Sequence, residues 1–148
     1  MLIRRGLQIA RRGYRERGLG GLISDLGSLL KSIWFASLNR PISSHGVSIH
    51  GTRQLGILQT AEIIAGRYEQ AEAEFGKEYI SDETSVVEFG GGIGYVTALI
   101  NQTHKIDQHI VLEMNPEIIP VFRNNMNKND VNICLDTSAY SAQHDSVS

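Results

Sequence analysis

Two carboxylates bracket a run of alternate glycines in this chain: Glu88, then Gly90, Gly92 and Gly94, then Glu113 nineteen positions after the last glycine. Glycine is needed where a chain turns sharply or where a ligand must approach the backbone closely. An acid about 20 residues beyond such a turn suits the hydroxyls of a ribose, because one carboxylate accepts both protons at once. An acid beside the turn suits a cationic group. The dinucleotide pattern G-x-G-x-x-G does not fit. Counted from Gly90 its third glycine falls on Tyr95, and counted from Gly92 it falls on Thr97. The spacing therefore favours a nucleotide-like ligand without a pyrophosphate.

Such a constellation needs a strand, a turn, a helix and a second strand to hold it. Val86, Val87 and Phe89 have the β-branched and aromatic character of a buried parallel strand, predicted over Ser85–Phe89. Tyr95 to Ile100 is predicted helical. Ile110, Val111 and Leu112 form the apolar run of a strand over His109–Glu113, and a third strand is expected over Val131–Leu135. Upstream, Asn39 to Gly46 is turn-rich, Val47–His50 alternates as a short strand, and Leu55 to Ala65 is helical until Gly66 stops it. A second amphipathic helix follows, with Tyr68, Ala71, Phe75 and Tyr79 on one face, expected to be the packed one. The expected organisation is a helical arm over 1–40, a strand and helices over 41–84, and an α/β nucleotide-binding domain over 85–148.

An acid at a strand end followed by three alternate glycines is the arrangement used for S-adenosylmethionine, which carries an ammonium and a sulfonium. Three stretches make the chain resemble a class I S-adenosylmethionine-dependent methyltransferase of the FkbM type: Gly66-Arg-Tyr-Glu-Gln-Ala-Glu, Val86-Val-Glu-Phe-Gly-Gly-Gly-Ile-Gly-Tyr, and Val111-Leu-Glu-Met-Asn-Pro followed by Asn124, Asn125 and Asn129. The resemblance covers about residues 55–148. It implies a Rossmann-like methyltransferase sheet and O-methylation of a small-molecule or glycan hydroxyl. It also implies roles. Gly90, Gly92 and Gly94, with the Gly91-Gly92 pair as a small departure from the family loop, admit the amino-acid portion of the cofactor. Glu88 orients its ammonium, Glu113 binds the ribose, Ile93 and Met114 pack the adenine, Tyr95 and Asn115 line the pocket, and Glu69 lies near it. A full sheet of this type has more strands than are countable here, so the chain is expected to be the front part of a longer enzyme, with an unpaired edge and poor stability. The catalytic base and the acceptor pocket are expected in the remainder, and no catalytic residue is assigned. The alternatives are a non-catalytic nucleotide-binding fragment and a nicotinamide-dependent oxidoreductase, the latter disfavoured by Tyr95.

Composition bounds the remaining classes. The 148 residues are 41% hydrophobic and 20% charged, as in an ordinary soluble globular protein. Cys134 is the single cysteine, which gives no sign of an oxidising compartment and leaves a cytoplasmic location as the expectation. It is expected to be a buried, inert thiol. His45, His50, His104, His109 and His144 lack metal-ligand spacing and are read as surface or loop residues. Residues 1–40 carry a net charge of +6 and the remainder −8. Leu22, Ile23, Leu26, Leu29, Leu30, Ile33 and Trp34 recur at helical spacing through that arm. The stripe is expected to pack against the body, with a peripheral membrane contact as the alternative. Asp25 and Lys31 interrupt it, against a transmembrane span, and no cleavable leader is evident. Nucleic acid is not expected as a partner, because stacking aromatics beyond Tyr14 are not interleaved with the basic residues and the body is acidic.

Overall fold

A computed structural model describes residues 2–138, with side chains for Arg15 and from Gly18 onward. Arg4, Arg5, Arg11, Arg12 and Arg17 of the basic arm, and His144, lie outside the described side chains. The fold is α/β. In chain order the elements are α1 (Leu2–Ser37), β1 (Ile42–Ser44), β2 (Val47–Ile49), α2 (Thr52–Ile64), α3 (Gln70–Tyr79), β3 (Ser85–Phe89), α4 (Tyr95–Thr103), β4 (Gln108–Leu112), α5 (Ile119–Lys128) and β5 (Cys134–Asp136). They form two compact units, one of residues 1–44 with 50–68 and one of 45–49 with 69–148.

In the first unit α1 packs on α2. Each helix is broken once by a glycine in a conformation other residues avoid, Gly18 (φ 67°) and Gly56 (φ 82°). The packed face of α1 is not the apolar stripe. Gly21, Asp25, Ser28, Ser32 and Ala36 are buried, whereas Ile23, Leu26, Leu30, Ile33 and Trp34 are exposed. Polar anchors account for the reversal. The buried Asp25 carboxylate pairs with the Arg67 guanidinium at 3.1 Å. The buried Thr52 hydroxyl lies 3.1 Å from the carbonyls of both Phe35 and Arg40, and Arg53 donates to the Ser37 carbonyl at 3.0 Å. These bonds fix the side of α1 that faces α2, where the buried residues are small or polar.

The second unit holds a parallel three-stranded sheet in the order β3-β4-β5. Three parallel strands in sequential order are compatible with part of a Rossmann-like sheet. The register sets Val86 opposite His109 and Glu88 opposite Val111, so these four share a face. Helices α4 and α5 cover that face and build the core from Ile93, Ala98, Leu99, Val111, Phe122 and Met126, all buried. The other face is open. Val87 and Phe89 were expected in a buried strand, but β3 is an edge strand and among the described residues no helix covers that side, so Phe89 is 82% exposed. The open face explains Cys134 in the same way: its thiol is exposed, not buried, because Cys134 pairs with Ile110 on the uncovered side. Helix α3 repeats the reversal seen in α1. Ala73 and Gly76 are its buried residues, with Gly76 against Ile100, while Phe75 and Tyr79 stack on each other at 4.7 Å on the exposed side.

Strand β2 joins this unit through Asn129. Its side-chain oxygen accepts from the Ser48 N–H at 2.8 Å and its amide donates to the Ser48 carbonyl at 2.7 Å. The side chain thus substitutes for a missing strand partner. Truncating the fully buried Phe122 to alanine is expected to cost about 3–5 kcal/mol. Phe89→Ser, on the open face, is expected to change stability by less than about 0.5 kcal/mol. Urea unfolding followed by circular dichroism checks both.

Candidate functional site

The glycine turn begins where β3 ends. The Gly90 N–H continues the parallel ladder by donating to the Leu112 carbonyl at 2.8 Å, and the Gly94 N–H closes the turn on the Gly91 carbonyl at 2.8 Å. Gly90 (φ 83°), Gly92 (φ 52°) and Gly94 (φ 82°) are left-handed, so the alternate spacing reflects an alternate backbone conformation. The four glycines have two distinct uses. A β-carbon on Gly90 would meet nothing within 4 Å, and one on Gly92 would meet only Glu69 Oε1, at 3.8 Å. A β-carbon on Gly91 would lie 2.5 Å from Val111 Cγ1 and 2.7 Å from Phe122, and one on Gly94 would strike the Met126 methyl. Gly90 and Gly92 therefore border open space. Gly91 and Gly94 let the turn settle onto Phe122 and α5.

Glu113 holds the turn in place. One carboxylate oxygen accepts from the Gly92 N–H at 2.9 Å and the other from the Asn115 N–H at 2.7 Å. Glu113 is buried, immediately beyond β4, and its own N–H donates to the Asp136 carbonyl at 3.1 Å. One side chain thus connects the glycine turn to the carboxyl edge of β4 and β5, where α/β sheets bind ligands. Asn115 adds a tight turn, its side-chain oxygen accepting from the Glu117 N–H at 3.0 Å. Met114 lies between them and is exposed.

Glu88 sits in a closed polar ring beneath the sheet. It accepts from the Thr97 hydroxyl at 2.7 Å, and Glu88 Oε2 is 3.1 Å from His109 Nε2. Asn101 Nδ2 lies 2.7 Å from His109 Nδ1 and donates to the Thr97 carbonyl at 2.8 Å, which returns to the start. Nε2 of His109 faces Glu88 in a contact of ion-pair length without hydrogen-bond alignment. His109 is buried, which corrects its reading as a surface residue. It occupies the covered face because a strand alternates and its partner Val86 points the same way.

A cavity of about 560 Å³ runs along the free side of β3, walled by Glu69, Glu72, Phe75, Glu88, Phe89 and Gly90 among others. Three carboxylates give it a negative character that attracts cations. Of the residues expected in the site, the structure brings together Glu69, Glu88 and Gly90 on this cavity. Gly92 approaches it through Glu69, whereas Glu113, Met114 and Asn115 do not line it; Glu113 reaches the turn from the end of β4 by its bond to the Gly92 N–H. Two others are placed elsewhere. Ile93 is buried, its carbonyl accepting from the Asn125 amide at 2.8 Å, and Tyr95 is buried with its hydroxyl 2.8 Å from His45 Nδ1. Both serve the interior: Ile93 lies within the turn and is held by Asn125 of α5, and Tyr95 opens α4.

Asp136, which the sequence reading passed over, ends β5 on the same edge. Hydrogen bonds from Ser138, side chain first and backbone second, hold its carboxyl below the usual carboxylate range. Its signal was the shared pattern of an acid at or within one residue of each strand end: Glu88, Glu113, Asp136. Among the described residues no cluster of His, Cys, Asp and Glu is arranged to hold a metal ion.

The division of the glycines is testable by stability alone. Gly91→Ala is expected to lose about 1–3 kcal/mol by overpacking against Val111 and Phe122. Gly90→Ala is expected to lose only the left-handed backbone cost of about 1–2 kcal/mol, while remaining fully folded. Denaturant midpoints of the two variants compare them. In comparison with known proteins, no family description and no curated protein matches this chain.

Proposed function

We propose that the second unit binds S-adenosylmethionine at the carboxyl edge of β3 and β4 and that the protein is a methyltransferase acting on a hydroxyl of a small molecule or glycan. The observation that carries the reading is the Glu113 carboxylate, fixed at the strand end and hydrogen-bonded to the Gly92 N–H of an open-sided glycine turn. A carboxylate offers about four lone-pair positions, so two remain for a ribose diol after Gly92 and Asn115 are served. The open space over Gly90 and Gly92 fits the amino-acid end of such a ligand. Glu69, Glu72 and Glu88 on the adjoining cavity suit its cationic groups. Exposed Met114, next to Glu113, offers a polarizable surface for a purine.

The cofactor supplies a methyl group already activated on a sulfonium, so the protein's task is alignment. In this chain that task falls to the rigid turn. Gly91 and Gly94 lock it onto Phe122 and Met126, Glu113 ties it to β4, and the Glu88 ring ties the end of β3 to α4. Ile93 and Tyr95 act beneath the site as supports.

Titration calorimetry with S-adenosylhomocysteine and with NAD tests the reading. The expected result is saturable heat with S-adenosylhomocysteine and none with NAD. Glu113→Ala is expected to weaken binding by about 1.5–3 kcal/mol, and Gly92→Val to abolish it by filling the turn. Unchanged affinity in both folded variants, or NAD as the preferred ligand, would overturn it.

A further inference from the structure

Helix α1 exposes a large apolar surface that the cofactor reading does not use. At 3.6 residues per turn, Leu19, Ile23, Leu26, Leu30, Ile33 and Trp34 fall within roughly a third of the helix circumference. All six are exposed, Leu19 at 65% and Leu30 at 69%. The buried residues Gly21, Asp25, Ser28, Ser32 and Ala36 lie on the opposite side. Exposed Lys31 flanks the apolar arc, and the Arg40 guanidinium sits 5.0 Å from the centre of the Trp34 ring. The apolar surface continues past Trp34 into a cavity of about 660 Å³ walled by Phe35, Pro41, Ile42 and Ile64, with Lys31 also on its wall. A contiguous exposed surface of this kind marks an interaction site.

We propose that this face of α1 lies on the surface of an anionic lipid bilayer. Charge selects the occupant. Residues 1–40 carry +6, and basic residues beside an apolar helix face are the composition of an interfacial helix. A second copy of the same face would bring the two +6 segments together. A spanning segment is not the geometry, since no helix among the described residues is long and apolar enough to cross a membrane. Trp34, with one side apolar and Arg40 against it, is suited to the headgroup level. The proposal stands apart from the cofactor reading, because it uses residues of the first unit only.

Trp34 is the only tryptophan and so reports its own surroundings. The full chain is mixed with vesicles of phosphatidylcholine containing phosphatidylserine, and with vesicles of phosphatidylcholine alone, at low and high salt. Binding is read by co-sedimentation and by Trp34 emission. The expected result is co-sedimentation and a blue shift with the anionic vesicles, lost at high salt and weak on the neutral ones. Lys31→Ala and Arg40→Ala are each expected to weaken sedimentation about fivefold. The double variant L26E/L30E, altered only at exposed positions, is expected to keep its circular dichroism spectrum and lose binding more than about tenfold. Three results would overturn the proposal: no binding to anionic vesicles, equal binding to neutral ones, or a Trp34 emission already blue in lipid-free solution. Light scattering then identifies the occupant in the last case, a dimer dissociated by L30E meaning a second copy and a monomer meaning the chain itself.

Discussion

A single carboxylate fixes the geometry on which the proposed site depends. Without an acceptor at Glu113, the N–H groups of Gly92 and Asn115 would both lack their partner in a partly buried place, and leaving such donors unsatisfied costs about 1–3 kcal/mol each. Because Glu113 directly follows β4 and its own N–H is bonded to Asp136, its position is inherited from the sheet. The glycine turn in turn inherits its position from Glu113. A carboxylate acceptor thus makes a loop built mostly of glycine as well placed as a strand, which is what a ligand gripped by backbone requires.

The same economy appears in how helices meet their neighbours. In α1 and α3 the buried positions are small or polar, and the large apolar side chains face outward. Close approach explains it: Gly76 lies against Ile100 at a distance that leaves a methyl group little room, and Gly91 leaves none beside Phe122. At Gly76 and Gly91 a larger residue would clash, and in α1 polar bonds such as Thr52 to the Phe35 carbonyl and Asp25 to Arg67 hold the buried side. The outward apolar faces are then left available for other surfaces.

Much of the framework was legible in the sequence. The strand over Ser85–Phe89 stands as expected, the next is displaced by one residue, and the third begins three residues later than its apolar run suggested. Periodicity reveals that an element exists and of what type, because alternation and 3.6-residue spacing follow from backbone geometry. It does not reveal which face is buried. That was decided by Asp25 with Arg67 and by Gly76 with Ile100, contacts between residues far apart in the chain. For the same reason a lone histidine gave no hint of the Glu88–His109–Asn101–Thr97 ring, and the burial of Ile93 and Tyr95, adjacent in sequence to the turn, was not legible either. Glu113 was legible because its spacing from the glycines follows from one strand and one helix. That it braces the turn was not.

The most direct test of the central claim is the amide NMR spectrum of the labelled protein during addition of S-adenosylhomocysteine. If Glu113 and the turn form the binding cradle, the amides of Gly90, Gly92, Met114 and Asn115 shift together and saturate, while those of Gly46 and Gly56 stay in place. Shifts confined to other parts of the chain, or a turn whose amides do not move at saturating ligand, would contradict the account.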